Sequence, residues 1–398
     1  MTLEGIHRKR NTALFLISQS MTLFSSMIVQ MAIIWYVTLK TSSGAWVAAL
    51  TISAYLPQFL ISFVAGVWAD RYSRKKLILL ADSVITASTM IMFFVLPAIS
   101  SDDVLLGALV MLSVIRSLGA GVQIPAVNAV IPSLVPEEHL MRFNGINATM
   151  QSVVQFAAPA VAGAVLSMAT FRSALLIDIL TALPGIGLLS CVLLPRQERA
   201  SEAASVFSEI RAGVRYTFSD RTIGRLLIVY GLYILLCVPA GFMAALLVSR
   251  VYGDAYWYLT AVELVGFAGM ALGGVLMGVW GGFRSRIRTF AAGLMLLSLM
   301  TVGMGVSPYF ILYLVLMFVY SISLTVIQTA SATIVQEQAD RAIQGRVFGL
   351  MGAMYSGFLP LGMAVFGPMA DAVPLQGIIA GSGIALFLLA AYLHVKEK

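Results

Sequence analysis

The chain has 398 residues, of which 60% are hydrophobic and only 11% are charged, and its mean hydropathy is +0.93. A water-soluble domain needs about a quarter of its residues charged, so the composition excludes soluble enzymes, disordered proteins and collagen-like chains. The net charge of +7 does not indicate nucleic-acid binding, because the basic residues form short clusters between apolar runs, a pattern typical of membrane topology signals.

Apolar runs account for most of the chain. At 60% of 398 residues they supply about 240 positions, which is what twelve membrane helices of about 20 residues would use. The first run is too long for the apolar part of a cleaved signal peptide, so it is predicted to be a transmembrane helix. The twelve predicted spans are 12–38, 44–68, 77–99, 104–130, 143–169, 173–194, 223–249, 255–280, 289–306, 309–334, 346–370 and 375–393.

One long polar interval, residues 195–222, separates the sixth and seventh spans. Val206, Ile210 and Val214 recur there at helical spacing, which predicts an amphipathic linker at the cytoplasmic membrane surface. The sequence therefore predicts an N-terminal six-helix bundle at 1–194, the linker, and a C-terminal six-helix bundle at 223–398.

Two loops recur in the same order in both halves. Gly66-Val-Trp and the basic turn after it return 212 residues later at Gly278-Val-Trp, and Glu137 of the loop after span four returns 200 residues later as Glu337. Two matches at near-equal offsets indicate a duplicated six-span unit. A pseudo-twofold axis along the membrane normal is the expected arrangement.

The basic residues predict the orientation, since Lys and Arg concentrate on the cytoplasmic side. With the N-terminus inside, cytoplasmic segments hold 21 of the 25 Lys and Arg residues, and the opposite side holds only Lys40, Arg172 and Arg250. We therefore expect a multi-pass protein of the bacterial cytoplasmic membrane with both termini in the cytoplasm.

The loop after the second span reads GVWADRYSRKK from Gly66 to Lys76. It resembles the signature loop of the major facilitator superfamily, GxxxDRxxRKK, at every keyed position. QMAIIWYVT at 30–38 and RSLGAGVQIPAVNAVIPSLVPEE at 116–138 are similar to the macrolide-efflux group of bacterial drug exporters in that superfamily. The resemblance implies an all-α integral membrane fold of twelve transmembrane helices in two pseudo-twofold-related bundles, with alternating access and drug efflux.

This loop also has a physical interpretation. Glycine lets helices approach closely, and an aspartate at a helix end can accept N–H bonds from a neighbouring helix N-terminus. We expect Gly66, Asp70, Arg71 and Arg74 to form a conformational latch, in which Asp70 holds span two against span eleven and Arg74 holds that carboxylate. The alternative is that these charges only set topology. The second half has Gly282 at the position of Asp70, so the latch is expected to be asymmetric.

Four ionisable residues fall inside predicted spans, and each is a functional candidate because burying a charge in a bilayer is costly. At ~1.5 Å per residue, Arg116 and Glu263 lie about 18 and 12 Å from the outer boundary, near the midplane. Asp178 lies about 9 Å from the outside and Asp82 about 8 Å from the cytoplasm. These two are shallow enough for hydration or for pairing with a loop cation, and Asp82 is predicted to be structural, next to the basic loop.

Proton coupling is assigned to Glu263, Arg116 and Asp178. Burial favours the neutral form of a carboxylate, so Glu263 is predicted to carry the proton, with Arg116 setting when it is released; a static pair with a buried cation is the alternative. Arg116 also resembles the span-four arginine of the superfamily's proton-translocation motif, although Gly119 follows at +3 where that motif has +4.

Polar residues at helical spacing predict which helices face water. They lie on spans one, four, seven and ten, the first and fourth of each six, which line the central cavity in the family. Hydrogen bonding between helices is the alternative for any single stripe. The predicted substrate-binding residues are Gln19, Ser26, Gln30, Gln123, Tyr230, Tyr233 and Gln328.

The expected function is proton-coupled export of hydrophobic or amphipathic drugs such as macrolides, and the alternative is export of a native metabolite or siderophore. No GxxxxGK[ST] motif occurs, so the proton gradient is the expected energy source, with no cofactor or metal. The expected partners are the lipid bilayer and a small hydrophobic substrate, for a monomeric protein. An intramembrane enzyme is disfavoured because His7, His139 and His394 lie in loops or at termini, and a channel because no filter segment is visible.

Overall fold

The computed structural model describes residues 3–135, 137–193, 221–339 and 344–396, and every regular element in these ranges is a helix. A short 3-10 turn, Leu96–Ala98, follows the third α-helix. The α-helices are α1 Leu3–Thr41, α2 Gly44–Arg71, α3 Arg74–Val95, α4 Asp102–Leu134, α5 Glu137–Met168, α6 Phe171–Cys191, α7 Arg221–Phe242, α8 Ala244–Val251, α9 Tyr256–Trp280, α10 Arg286–Val306, α11 Phe310–Gln338, α12 Gln344–Ala372 and α13 Leu375–Lys396.

The prediction of twelve spans is confirmed. Within the described ranges, twelve helical stretches are long and apolar enough to cross a membrane, with mean hydropathies between 1.3 and 2.4. Helices α1 to α6 supply the first six, α7 and α8 together supply the seventh, and α9 to α13 supply the rest. Helices suit this role because each one bonds its own backbone N–H and C=O groups, which lipid cannot do.

The seventh span is not the continuous helix that the sequence predicts. It is interrupted at Met243, where the backbone has φ −102° and ψ 10°. Pro239 lies one turn before the break, and a proline inside a helix removes one backbone hydrogen bond and clashes with the preceding turn. Kinks at proline have this cause.

The chain divides into two compact units. The first consists of Met1–Val37 and Ser53–Ala203, and the second of Thr38–Ile52 and Ala204–Lys398. Helix α2 therefore contributes residues to both units. The predicted amphipathic linker at 195–222 lies almost entirely outside the described residues, which stop at 193 and resume at 221.

Glycines let helices pack closely inside each unit. In the first unit, a Cβ at Gly121 of α4 would lie 2.8 Å from the backbone oxygen of Gln58 on α2. In the second unit, a Cβ at Gly273 of α9 would lie 3.0 Å from the backbone oxygen of Ile322 on α11. Backbones that meet at small residues gain van der Waals contact, which drives helix association in a membrane.

Candidate functional site

A cavity of about 420 Å³ lies within the first unit, between α1, α2, α4 and α5. Gln19, Ser26 and Gln30 of α1 and Gln123 of α4 line it, so the structure brings together the four substrate-binding residues predicted in the first half. Other polar residues of its wall were not predicted to bind substrate. These are Ser20 and Thr22 of α1, Tyr55 and Gln58 of α2, Ser117 of α4, and Asn147 and Gln151 of α5.

The cavity wall combines hydrogen-bonding amides with apolar surface. The Nε2 atoms of Gln19 and Gln30 are buried and have no hydrogen-bond partner among the described residues. Almost all buried polar groups in proteins are hydrogen-bonded, so two free amide donors mark a place for a ligand with acceptor oxygens. Leu23, Met27 and Ile85 supply apolar wall, and methionine adapts readily to ligands of different shape.

Arg116 makes a buried ion pair with Asp178. Its Nη1 lies 2.6 Å from Asp178 Oδ2, and the side chains of Arg116 and Asp178 are 5% and 1% exposed. Nη1 also donates to Thr89 Oγ1 at 2.6 Å, and Nη2 donates to the Ser26 carbonyl at 3.5 Å. The expectation that Asp178 is hydrated or paired with a loop cation is therefore wrong. Helix α6 packs against α3, and the Asp178 side chain of α6 contacts Arg116 of α4.

Asp82 also differs from its prediction. Its side chain is 1% exposed, and Oδ1 accepts a hydrogen bond of 2.7 Å from Nε2 of Gln123, not a bond from the basic loop before it. Oδ2 is buried and has no partner among the described residues. Lys75 of that loop does not reach Asp82, because it donates to the carbonyls of Ser190 and Val192 at the end of α6.

Glu263 is the eighth residue of α9, in the second unit, and its side chain is exposed. It has no hydrogen bond or ion pair with any residue that the structure describes. A carboxylate with no fixed partner can gain or lose a proton without breaking an ion pair. The assignment of Glu263 as the proton carrier stays a prediction.

The remaining predicted substrate-binding residues also belong to the second unit. Tyr230 and Tyr233 neighbour each other on α7, with ring centroids 5.9 Å apart. Tyr233 is buried, whereas Tyr230 is partly accessible and Gln328 of α11 is exposed. Of the three, Tyr230 and Gln328 therefore have surface with which to contact a ligand, and their binding role stays a prediction.

Of the predicted latch, the side chain of Asp70 lies outside the described residues, and Arg71 is exposed at the end of α2. A Cβ at Gly66 would meet no described atom within 4 Å, and the role of Gly66 in a latch stays a prediction. Within the first unit, α2 approaches α4 closely at Gln58, where α4 presents Gly121.

Arg74 joins three helices. As the first residue of α3, it donates from Nε to the Ala69 carbonyl of α2 at 3.2 Å and from Nη1 to the Ala129 carbonyl of α4 at 2.6 Å. Arg286, 212 residues later, begins α10 in the same way and pairs with Glu337 at the end of α11 at 3.0 Å. Arg286 Nη1 also donates to the carbonyl of Gly281, directly after α9, at 2.9 Å. In each unit the arginine therefore donates to a carbonyl at the end of the preceding helix, where carbonyls lack donors from the helix itself.

A hydrogen-bonded carboxylate that sequence analysis missed, Asp371, lies in the second unit. Asp371 near the end of α12 accepts hydrogen bonds from the backbone N–H groups of Gly44 and Ala45 at 2.7 and 2.9 Å and from Ser43 Oγ at 2.8 Å. Arg250 Nη2 lies 2.7 Å from Asp371 Oδ1. A carboxylate at the N-terminus of α2 is stabilised by the free N–H groups and the helix dipole.

Comparisons with known proteins relate this chain to membrane transporters. A protein-family profile described as Major Facilitator Superfamily matches residues 15–363. The chain is 27% identical over 380 residues to Macrolide efflux protein A of Streptococcus pyogenes, which covers 94% of this chain and 92% of that protein. It is 24% identical over 359 residues to Multidrug efflux pump Tap of Mycobacterium bovis, with 86% and 83% covered.

Solved structures show the same fold at lower identity. The nucleoside transporter NupG superposes with a TM-score of 0.73 at 13% identity, over 98% of this chain and 99% of that chain. A bacterial homologue of the iron transporter ferroportin superposes with a TM-score of 0.71 at 15% identity, over 99% of both chains. At such identities the likeness establishes the fold and not the substrate.

Proposed function

This chain belongs to the major facilitator superfamily of membrane transporters, and from that membership we propose that it exports hydrophobic or amphipathic drugs of the macrolide type by proton antiport with alternating access. The relatives named for macrolide and multidrug efflux support export of such compounds. We place the protein in the bacterial cytoplasmic membrane as a monomer, with both termini in the cytoplasm and the proton gradient as its energy source.

The cavity of the first unit is the observation that carries this proposal. Its free amide donors at Gln19 and Gln30 suit the oxygens of a ligand, and its apolar wall suits a hydrocarbon framework. Small-molecule sites in proteins combine these two features, with a few polar groups that fix orientation in a mostly apolar cavity.

The proposed proton carrier is Glu263. It has no fixed ionic partner among the described residues, so protonation on one side of the membrane and release on the other cost no ion pair. Arg116 and Asp178 form an ion pair. Their proposed part in coupling is that Asp178 neutralises the charge of Arg116 in the cavity wall. Exchange of drug for proton then follows from linkage between the two binding equilibria.

Growth of a pump-deficient bacterium that expresses the chain tests the proposal. We expect raised resistance to a macrolide, abolished by a protonophore, and reduced by Gln19→Leu or Gln30→Leu. Gln155→Leu is the matched control, because Gln155 is exposed on α5 and does not line the cavity. Resistance that survives collapse of the proton gradient would exclude proton antiport, and equal resistance with all three glutamine variants would exclude this cavity as the drug site.

Glu263→Gln tests the proton carrier separately. In vesicles, this variant should bind a macrolide and exchange it downhill but should not accumulate it when a pH gradient is imposed. Accumulation equal to that of the parent protein would remove Glu263 from the coupling mechanism. Asp254→Asn is the control, since Asp254 is an exposed acidic residue between α8 and α9.

A further inference from the structure

Two buried carboxylates of the first unit lie at different levels along α3. Asp178 meets α3 at Thr89, and Asp82 belongs to α3 seven residues earlier, roughly 10 Å away along the helix axis. Both are 1% exposed. One oxygen of Asp178 accepts hydrogen bonds from the Arg116 guanidinium and the Thr89 hydroxyl. Among the described side chains, only the Gln123 amide donates to Asp82.

The basic residues at the start of α3 are engaged away from Asp82. Arg74 donates to two backbone carbonyls at the ends of α2 and α4, and Lys75 donates to two at the end of α6. Lys76 is exposed. None of these three makes an ion pair with Asp82.

The charged groups of the helices packed on α3 do not pair with Asp82 either. On α4, Arg116 is bound to Asp178, and the exposed pair Asp102 and Asp103 begins the helix about 20 residues from Gln123, at its opposite end. On α6, besides Asp178, Arg172 lies over the ring of Phe93, 4.3 Å from its centroid, at the end of α3 opposite to Arg74. Among the described residues, no cation balances Asp82.

We propose that Asp82 is a proton-binding site and that Gln123 links it to the ligand cavity. An ionised carboxylate that is buried with one hydrogen bond and one bare oxygen is far more costly than the neutral acid. Asp82 therefore holds a proton in this structure. The carboxyl and the Gln123 amide share one hydrogen bond, in which either group can be the donor once the acid is neutral.

Gln123 connects the two sites because its side chain also lines the cavity. A ligand that engages this amide changes the hydrogen bond that Asp82 receives, and hence the proton affinity of Asp82. By linkage, the proton on Asp82 changes the affinity of the ligand by the same factor. This coupling rests on the proposed function of the cavity as a drug site, whereas the proton site itself does not.

Infrared spectroscopy of the purified full chain in lipid nanodiscs tests the proposal, because a protonated carboxyl has a C=O stretch that a carboxylate lacks. We expect the parent protein at pH 7 to show an acid band that Asp82→Asn removes. Asp103→Asn is the matched control and should leave the band unchanged, since Asp103 is exposed. A difference spectrum in which Asp82→Asn removes a carboxylate band at pH 7 would overturn the proposal.

Gln123→Leu provides the second measurement, which keeps the test decisive if Asp82→Asn does not fold. The variant removes the one hydrogen bond that Asp82 receives from a described side chain, so the pH at which the acid band disappears should rise by about one unit. An unchanged midpoint would refute the link through Gln123. These spectra do not depend on transport, so a protein that exports no macrolide can still show the acid band of Asp82. Absence of that band would refute the proton site without contradicting macrolide export.

Discussion

The ion pair between Arg116 and Asp178 gives the sharpest prediction, because removing either member leaves the other charge buried. Asp178→Asn leaves a guanidinium that is 5% exposed without a counter-charge, and an arginine cannot lose its proton in a protein. Breaking a buried pair by removing one partner costs about 3–5 kcal/mol. Asparagine keeps the shape and can still accept from Arg116, so we expect the lower end, about 3 kcal/mol.

Arg116→Gln leaves the opposite charge. Asp178 is 1% exposed, and among the described residues it then keeps one hydrogen bond from a side chain other than residue 116, the 3.0 Å bond from the Thr89 hydroxyl. A carboxylate left buried without its counter-charge is costly. Because glutamine is shorter than arginine and carries no charge, we expect the upper end of the same range, about 5 kcal/mol.

Thermal unfolding of the purified protein measures both effects. The parent, the two single variants and the double variant Arg116→Gln/Asp178→Asn form one series. We expect each single variant to lower the unfolding midpoint and the double variant to recover much of the loss, because it leaves neither charge buried without its partner. A double variant whose loss equals the sum of the two single losses, or an Asp178→Asn protein as stable as the parent, would refute this reasoning.

Three further predictions concern the close contacts of α2, α4 and the basic turns. Asp371→Asn should weaken the hold on the start of α2 by about 1 kcal/mol, since the carboxylate is one-third exposed, and should speed hydrogen exchange of the amides there roughly fivefold; unchanged exchange would contradict it. Gly121→Ala should destabilise the protein by about 1–3 kcal/mol through contact with the α2 backbone, whereas Gly107→Ala, which meets no described atom within 4 Å, should unfold like the parent. Gly282→Asp should not restore transport to an Asp70→Asn protein, because Gly282 has φ +82° and a Cβ there would touch a threonine side chain at 2.8 Å; recovery of transport would show that the two turns are equivalent.

The sequence alone determined the membrane fold and the polar face of the first helix. Twelve spans follow from hydropathy because a bilayer accepts only segments that are long, apolar and internally hydrogen-bonded. Gln19, Ser26 and Gln30 could be placed on one face because the helix period converts spacing into direction. That Gln123 lies at the same cavity follows from the matching stripe on α4.

Only the tertiary structure decided which buried charges meet. Counting residues gives the depth of Asp178 and Asp82 but neither the rotation of their helices nor their neighbours, so the pairing of Asp178 with Arg116 and of Asp82 with Gln123 could not be read from the sequence. The bond from Gly44 to Asp371 joins residues 327 positions apart. Local patterns specify a helix and its faces, whereas contacts between distant helices depend on packing that no local pattern encodes.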